Sequence, residues 1–146
     1  MAIERRDEKP IILIAEDELL LAAELEDTLR YAGYACGGPV ATLSEALRLI
    51  QARHFDAAIF DIQLHHGETI YPAAQLAASR GIPFLFLTAY GHHHLDRRFT
   101  GRPVLYKPIS PAELMLSVES LIYPASARAN PRGPRAASVP CPALAP

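Results

Sequence analysis

The chain has 146 residues, half of them apolar and 21% charged, with 13 prolines and two cysteines. This is enough for one domain with a two- or three-layer core, and a net charge of −2 gives no bulk attraction to nucleic acid or anionic membrane. Cys36 and Cys141 match no metal or redox spacing, so they read as a small buried hydrophobe and a free thiol, and no oxidising compartment is implied.

Residues 1–9 form a charged extension of mixed sign. Ile11 to Ala15 is a continuous apolar run. It is too short for a signal-peptide core or a membrane span, and suits a strand buried on both faces. A cytoplasmic location follows by default. Apolar positions at helical spacing (Leu21, Leu25, Thr28, Leu29) predict a helix ending near Gly33, then a weaker strand from Tyr34 to Val40. Thr42 and Glu45 form a capping-box pattern ahead of Leu43, Ala46, Leu47 and Ile50. Asp56 to Asp61 reads as the third strand. Gly67 to Arg80 reads as an alanine-rich helix that tolerates Pro72 only near its start.

Pro83 to Thr88 is the fourth predicted strand, Gly91 to Arg102 a short, poorly formed helix, and Val104 to Lys107 the fifth strand. Ser110, Pro111 and Glu113 have the residue types that open a helix, whose apolar face is Leu114, Val118, Leu121 and Ile122. Residues 10–123 therefore make up the domain. Residues 124–146, rich in Pro, Ala, Ser and Arg, cannot bury enough surface to offset their ordering entropy and read as a disordered tail. Its Arg128, Arg132 and Arg135 either touch a phosphate or acidic partner or are simply solvated, the preferred reading.

Strands alternating with helices imply an α/β fold, with a parallel sheet covered on both faces and its chemistry at the carboxyl ends of the strands. Glu16 and Asp17 follow strand one, Asp61 ends strand three, Thr88 ends strand four and Lys107 ends strand five. Clustered acids repel one another unless a cation sits among them. Carboxylates without Cys or His ligands suit Mg²⁺, and a carboxylate beside such an ion can attack phosphorus. Lys107 then offers a point charge and Thr88 a hydroxyl to phosphoryl oxygens. Each residue also has a structural reading: Glu16 or Asp17 as a helix cap, Thr88 as an ordinary strand end, Lys107 paired with any surface acid. Those readings leave the convergence unexplained.

The stretches Ile11-Ile12-Leu13-Ile14-Ala15-Glu16-Asp17-Glu18, Ile59-Phe60-Asp61, Leu87-Thr88-Ala89 and Lys107-Pro108 resemble the receiver domain of bacterial two-component response regulators, over essentially Pro10 to Tyr123. The resemblance implies a flavodoxin-like doubly wound sheet of five parallel strands, order 2-1-3-4-5, with a weak fourth helix. It makes Asp61 the phosphoacceptor and Thr88 and Lys107 the phosphoryl-sensing pair. It makes Asp17 a direct Mg²⁺ ligand, Glu16 a ligand through water, and the Gln63 backbone carbonyl a further ligand beside Asp61. It also implies a cis Lys107–Pro108 peptide. Pro83-Phe84-Leu85-Phe86-Leu87-Thr88-Ala89-Tyr90 is similar to the signature of the "FATGUY" subgroup of stand-alone receivers, with Leu87 and Ala89 departing from it, and Asp61-Ile-Gln-Leu with Gly67-Glu68 also resembles that subgroup. Two further departures bear on switching. Val104 stands where receivers carry an aromatic residue, and His65 where they carry proline. Tyr90, or the segment from Gly91 to Arg102, is the expected substitute switch.

The resemblance implies a phosphorelay signalling role, with a sensor histidine kinase or histidine phosphotransfer protein as donor and a protein target or phosphate-sink role downstream. No output domain and no direct DNA binding are expected, and the face around the fourth helix and fifth strand is a candidate homodimer surface. A binding module that keeps only the scaffold, and a phosphohydrolase with Asp61 as nucleophile, are the alternatives; the second lacks an acid at Gln63. His92, His93 and His94, with His65 and His66 elsewhere, form no compact tetrahedral site and read as a pH-sensitive or solvated loop. P-loop and Gly-x-Ser-x-Gly motifs are absent from the sequence.

Overall fold

A computed structural model describes residues 8–89 and 95–125. Five strands, β1 (Ile11–Ala15), β2 (Ala35–Val40), β3 (Ala57–Asp61), β4 (Phe84–Thr88) and β5 (Val104–Tyr106), form one sheet in the order β2-β1-β3-β4-β5. Every pairing is parallel. The connections contain helices α1 (Leu19–Tyr31), α2 (Leu43–Ala52) and α3 (Tyr71–Ser79), and α4 (Pro111–Ile122) follows β5.

Alternation along the strands divides the core. Leu13, Ala15, Ala58, Phe60, Phe84 and Phe86 pack with Ala46 and Ile50 of α2 and Ala73, Ala74 and Ala77 of α3. Ile12, Ile14, Ala57, Ile59, Leu85 and Leu87 pack with Leu25 and Leu29 of α1 and Leu114 and Val118 of α4. The layers are therefore helix, sheet, helix. Both sheet faces are covered, so β1, β3 and β4 read as unbroken apolar runs rather than alternating ones. Each fully buried Leu, Ile or Phe contributes roughly 1.5–3 kcal/mol of transfer free energy. The first face is aromatic: Phe60 and Phe84 ring centroids lie 5.3 Å apart, Phe84 and Phe86 also 5.3 Å, and Phe99 stacks on Tyr71 at 5.6 Å.

Helix caps follow the sequence. Thr42 accepts from the Glu45 N–H at 3.1 Å, and Ser110 from the Glu113 N–H at 3.1 Å. The reciprocal Glu45 bond goes to the N–H of Ala41, one residue before the cap, at 3.0 Å. At the amino ends of the strands, the Asp56 carboxylate accepts from Ile11 N–H at 2.8 Å and the Asp56 N–H donates to the Ile11 carbonyl at 2.8 Å. Arg80 donates to the carbonyl of Ile50 at 2.9 Å, tying α3 to the end of α2, and the Arg102 guanidinium lies 4.2 Å from the Phe84 ring centroid.

Two expectations need correction. The alanine-rich helix starts at Tyr71, not Gly67, because His66 and Gly67 have φ of 62° and 76°, outside the helical region, within the 3₁₀ turn His65–Gly67. Pro72 accordingly falls in the first helical turn. Of the helix expected over Gly91 to Arg102, the described part is a 3₁₀ turn, Arg97–Phe99, in which Asp96 accepts from the Arg98 N–H at 2.9 Å. Among the described residues there are thus four α-helices rather than five. Strand β2 carries an irregularity in its register with β1 and a cis Gly38–Pro39 peptide. Tyr90, the run His92 to His94, most of the N-terminal extension, and the tail beyond residue 125 with its arginines and Cys141 lie outside the described residues. No helix among those described is long and apolar enough to cross a membrane.

Candidate functional site

The carboxyl ends of β1, β3, β4 and β5 meet at one rim. Beyond β1 the ladder runs one residue further, the Glu16 N–H reaching the Val40 carbonyl at 2.9 Å. This carries the Glu16 side chain inside, where the residue is only 2% exposed. Its Oε2 accepts from the N–H of Glu18, the residue that caps α1, at 3.0 Å. Glu16 therefore does not cap α1 in the sense weighed above: its bond goes to the N-cap residue's own N–H, no side chain caps the first turn, and it uses one oxygen. The other, Oε1, lies 3.2 Å from Lys107 Nζ without a well-aligned hydrogen bond.

Asp61 closes β3 and is buried. Its Oδ2 accepts from Lys107 Nζ at 2.9 Å and its Oδ1 from the Gln63 N–H at 3.3 Å, which sets the Gln63 backbone beside the carboxylate. Thr88 closes β4, and its carbonyl accepts from the Lys107 N–H at 2.9 Å. Its hydroxyl is buried and has no hydrogen-bond partner. Lys107 follows β5, and its peptide to Pro108 is cis. The structure thus brings Glu16, Asp17, Asp61, Gln63 and Lys107 into one constellation, with Thr88 tied to it through the backbone of Lys107.

Carboxylate oxygens of Glu16, Asp17 and Asp61 all lie within 4.8 Å of one another. Burial first, then repulsion from Asp61, push the Glu16 carboxyl up to about 8. Burial works to lower the Lys107 pKa, but the hydrogen bond and charge of Asp61, joined by Glu16, outweigh it and raise it. Three acids with one ammonium leave the pocket short of positive charge. Hard oxygen donors, a Glu16 oxygen without a directed partner and an orphaned Thr88 hydroxyl are what a hard divalent cation and an oxyanion would satisfy.

A model of the response regulator receiver domain matches residues 12–119. The chain belongs to this family. The receiver is 32% identical over 111 residues to the transcriptional regulatory protein PdtaR of Mycobacterium tuberculosis, covering 74% of this chain and 54% of that protein. It is 32% identical over 125 residues to the phyllosphere-induced regulator PhyR of Methylorubrum extorquens, covering 80% of this chain and 45% of that protein. The alignments thus span about half the length of these curated relatives. Among solved structures, that of SdrG from Sphingomonas melonis Fr1 matches with 36% identity and a TM-score of 0.69, over 79% of this chain and 97% of that one. The sheet order and helical layers are those of the CheY-like fold.

Two residues at this rim went unassigned in the sequence. Glu18 Oε1 lies 4.0 Å from Lys107 Nζ. His65, read above as standing where receivers carry proline and as one of the histidines that form no compact metal site, places Nδ1 2.6 Å from Asp17 Oδ2. Sequence periodicity does not reveal such a contact between two loops.

Proposed function

We propose that this receiver is a phosphorylation-dependent signalling module in which Asp61 takes a phosphoryl group from a phosphohistidine of a sensor histidine kinase or histidine phosphotransfer protein. One observation carries the reading: a buried carboxylate held by an ammonium at 2.9 Å, flanked by two further acids. An Asp61 oxygen attacks phosphorus, the phosphorus–nitrogen bond of the donor breaks, and an acyl phosphate forms as the imidazole departs. Lys107 turns from the carboxylate toward a phosphoryl oxygen, and the Thr88 hydroxyl gains the acceptor it lacks. Glu16, Asp17, Asp61 and the Gln63 carbonyl would hold Mg²⁺, which when bound neutralises charge on the transferring oxygens. Water later hydrolyses the acyl phosphate, so the protein accepts and slowly loses a phosphoryl group rather than turning over a substrate.

Its downstream role is to bind a protein target or to drain phosphate from its kinase. The experiment is incubation of the purified protein with acetyl phosphate and Mg²⁺, followed by intact mass measurement. A gain of one phosphoryl group that Asp61→Asn abolishes is expected. No gain, or a gain that persists in the variant, sinks the proposal.

A further inference from the structure

The 2.6 Å contact between His65 Nδ1 and Asp17 Oδ2 has no part in the chemistry above. At that separation a proton lies between the two atoms, and a carboxylate offers only acceptors, so the imidazole donates through Nδ1–H. The ring is presented by a closed turn. Gln63 and Thr69 form an isolated bridge, the Leu64 N–H reaches the Glu68 carbonyl at 2.8 Å, and the Glu68 N–H points back to the His65 carbonyl at 3.3 Å. His65 is thus delivered from the loop that follows Asp61, onto the acid that follows β1.

Asp17 has two oxygens, and His65 engages only Oδ2. We propose that His65 is a positioning residue for the cation site. It fixes the rotation of the Asp17 carboxylate so that Oδ1 stays free to meet a divalent ion shared with Glu16 and Asp61. The inference rests on the reading of those three acids as the Mg²⁺ site. Hydrogen bonds to ligating carboxylates orient them and tune the ion, and their loss typically weakens metal affinity by about 10–100-fold. The rival role for the same contact is competition, in which the imidazole must leave before the cation binds. The two roles differ in sign.

Mg²⁺ binding to the full chain, its His65→Ala variant and its His65→Asn variant would be followed by calorimetry at one pH of about 8, above the ordinary imidazole range. The amide nitrogen of Asn stands close to where Nδ1 of His stands, so it supplies a neutral donor without the ring. His65→Ala is expected to bind Mg²⁺ about 10-fold or more weakly, and His65→Asn to recover most of the loss. Long-range proton–nitrogen NMR of the wild type should show the Nδ1-protonated tautomer both before and after Mg²⁺ is added. Unchanged or tighter binding by His65→Ala, or loss of that tautomer on adding Mg²⁺, overturns the positioning role. A wild-type chain that binds no Mg²⁺ overturns the cation site itself.

Discussion

Lys107 Nζ lies 2.9 Å from Asp61 Oδ2 and 3.2 Å from Glu16 Oε1, so one ammonium bridges two acids that repel each other. Removing one partner of a buried charged hydrogen bond costs about 1–3 kcal/mol or more through the group left behind. Lys107→Ala should therefore lower the unfolding free energy by about that much in the presence of a chelator. Adding Mg²⁺ should restore more stability to the variant than to the wild type, because the acids have lost their other counter-charge. Urea titrations with EDTA and with MgCl₂ test this; equal Mg²⁺ gains for both proteins would refute it.

The Thr88 hydroxyl is buried without a partner. Valine has nearly the same shape and no group to satisfy, so Thr88→Val should leave stability unchanged or raise it by up to about 1 kcal/mol. The same change should abolish most of the backbone NMR response to beryllofluoride with Mg²⁺ in the segment after β4. A variant that is clearly destabilised yet responds normally would show that the hydroxyl serves packing alone.

Gly37 lies where β2 passes over Phe55: a Cβ built there would stand 2.4 Å from Cε1 of the Phe55 ring. The ring is fully buried and cannot yield freely. Overpacking of this kind costs about 1–3 kcal/mol. Gly37→Ala should lower the urea midpoint accordingly, and the double variant with Phe55→Leu should recover part of it. Additive losses would place the fault elsewhere.

Burial raises the Cys36 thiol to about 11. The thiolate is the reactive form, so at pH 8 the folded protein holds roughly a hundredth of the thiolate of a thiol that titrates two units lower. In a Cys141→Ser background, iodoacetamide should label Cys36 at least about tenfold more slowly in buffer than in denaturant. The rate should keep climbing as pH rises from 8 to 10, because the folded-state pKa lies above that window. The same sign makes this group's contribution to stability full below the unfolded thiol pKa and lost as pH rises through 11. Labelling equally fast folded and unfolded would contradict the burial.

Phe99 joins the aromatic face, its ring 5.5 Å from Phe86 and 5.8 Å from Phe84, and holds down the turn before β5. Phe99→Ala should cost about 3–5 kcal/mol, measurable by thermal or urea unfolding. A loss below about 1 kcal/mol would mean that the turn packs loosely.

Much of this was legible in the residues. The run from Ile11 to Ala15 matched β1 residue for residue, because a strand buried on both faces leaves an unbroken apolar signature. Thr42 and Ser110 marked two helix starts through the chemistry of unsatisfied N–H groups. The rim residues were found because strand ends are countable. The early start assigned to α3 came from weighing alanine content over the glycine and proline that bracket its true beginning; Gly67 and Pro72 carried the better signal. The irregular register of β2 at Gly37-Gly38-Pro39 and the His65–Asp17 contact escaped, since both depend on what a distant segment places opposite them.

The clasp of Asp56 on Ile11, and of Arg80 on the Ile50 carbonyl, closes the end of the sheet far from the acids. Its bonds run to main chain and should hold unless the whole domain opens. At the acidic end main-chain bonds are joined by side-chain ties, Lys107 to Asp61 and His65 to Asp17, of which a cation or a phosphoryl group would rearrange the first. Amide hydrogen exchange should therefore grade along the strands, slowest at their beginnings and faster in the loops beyond their ends. Such a gradient would let the domain take up and release a guest at one pole while the other keeps its shape.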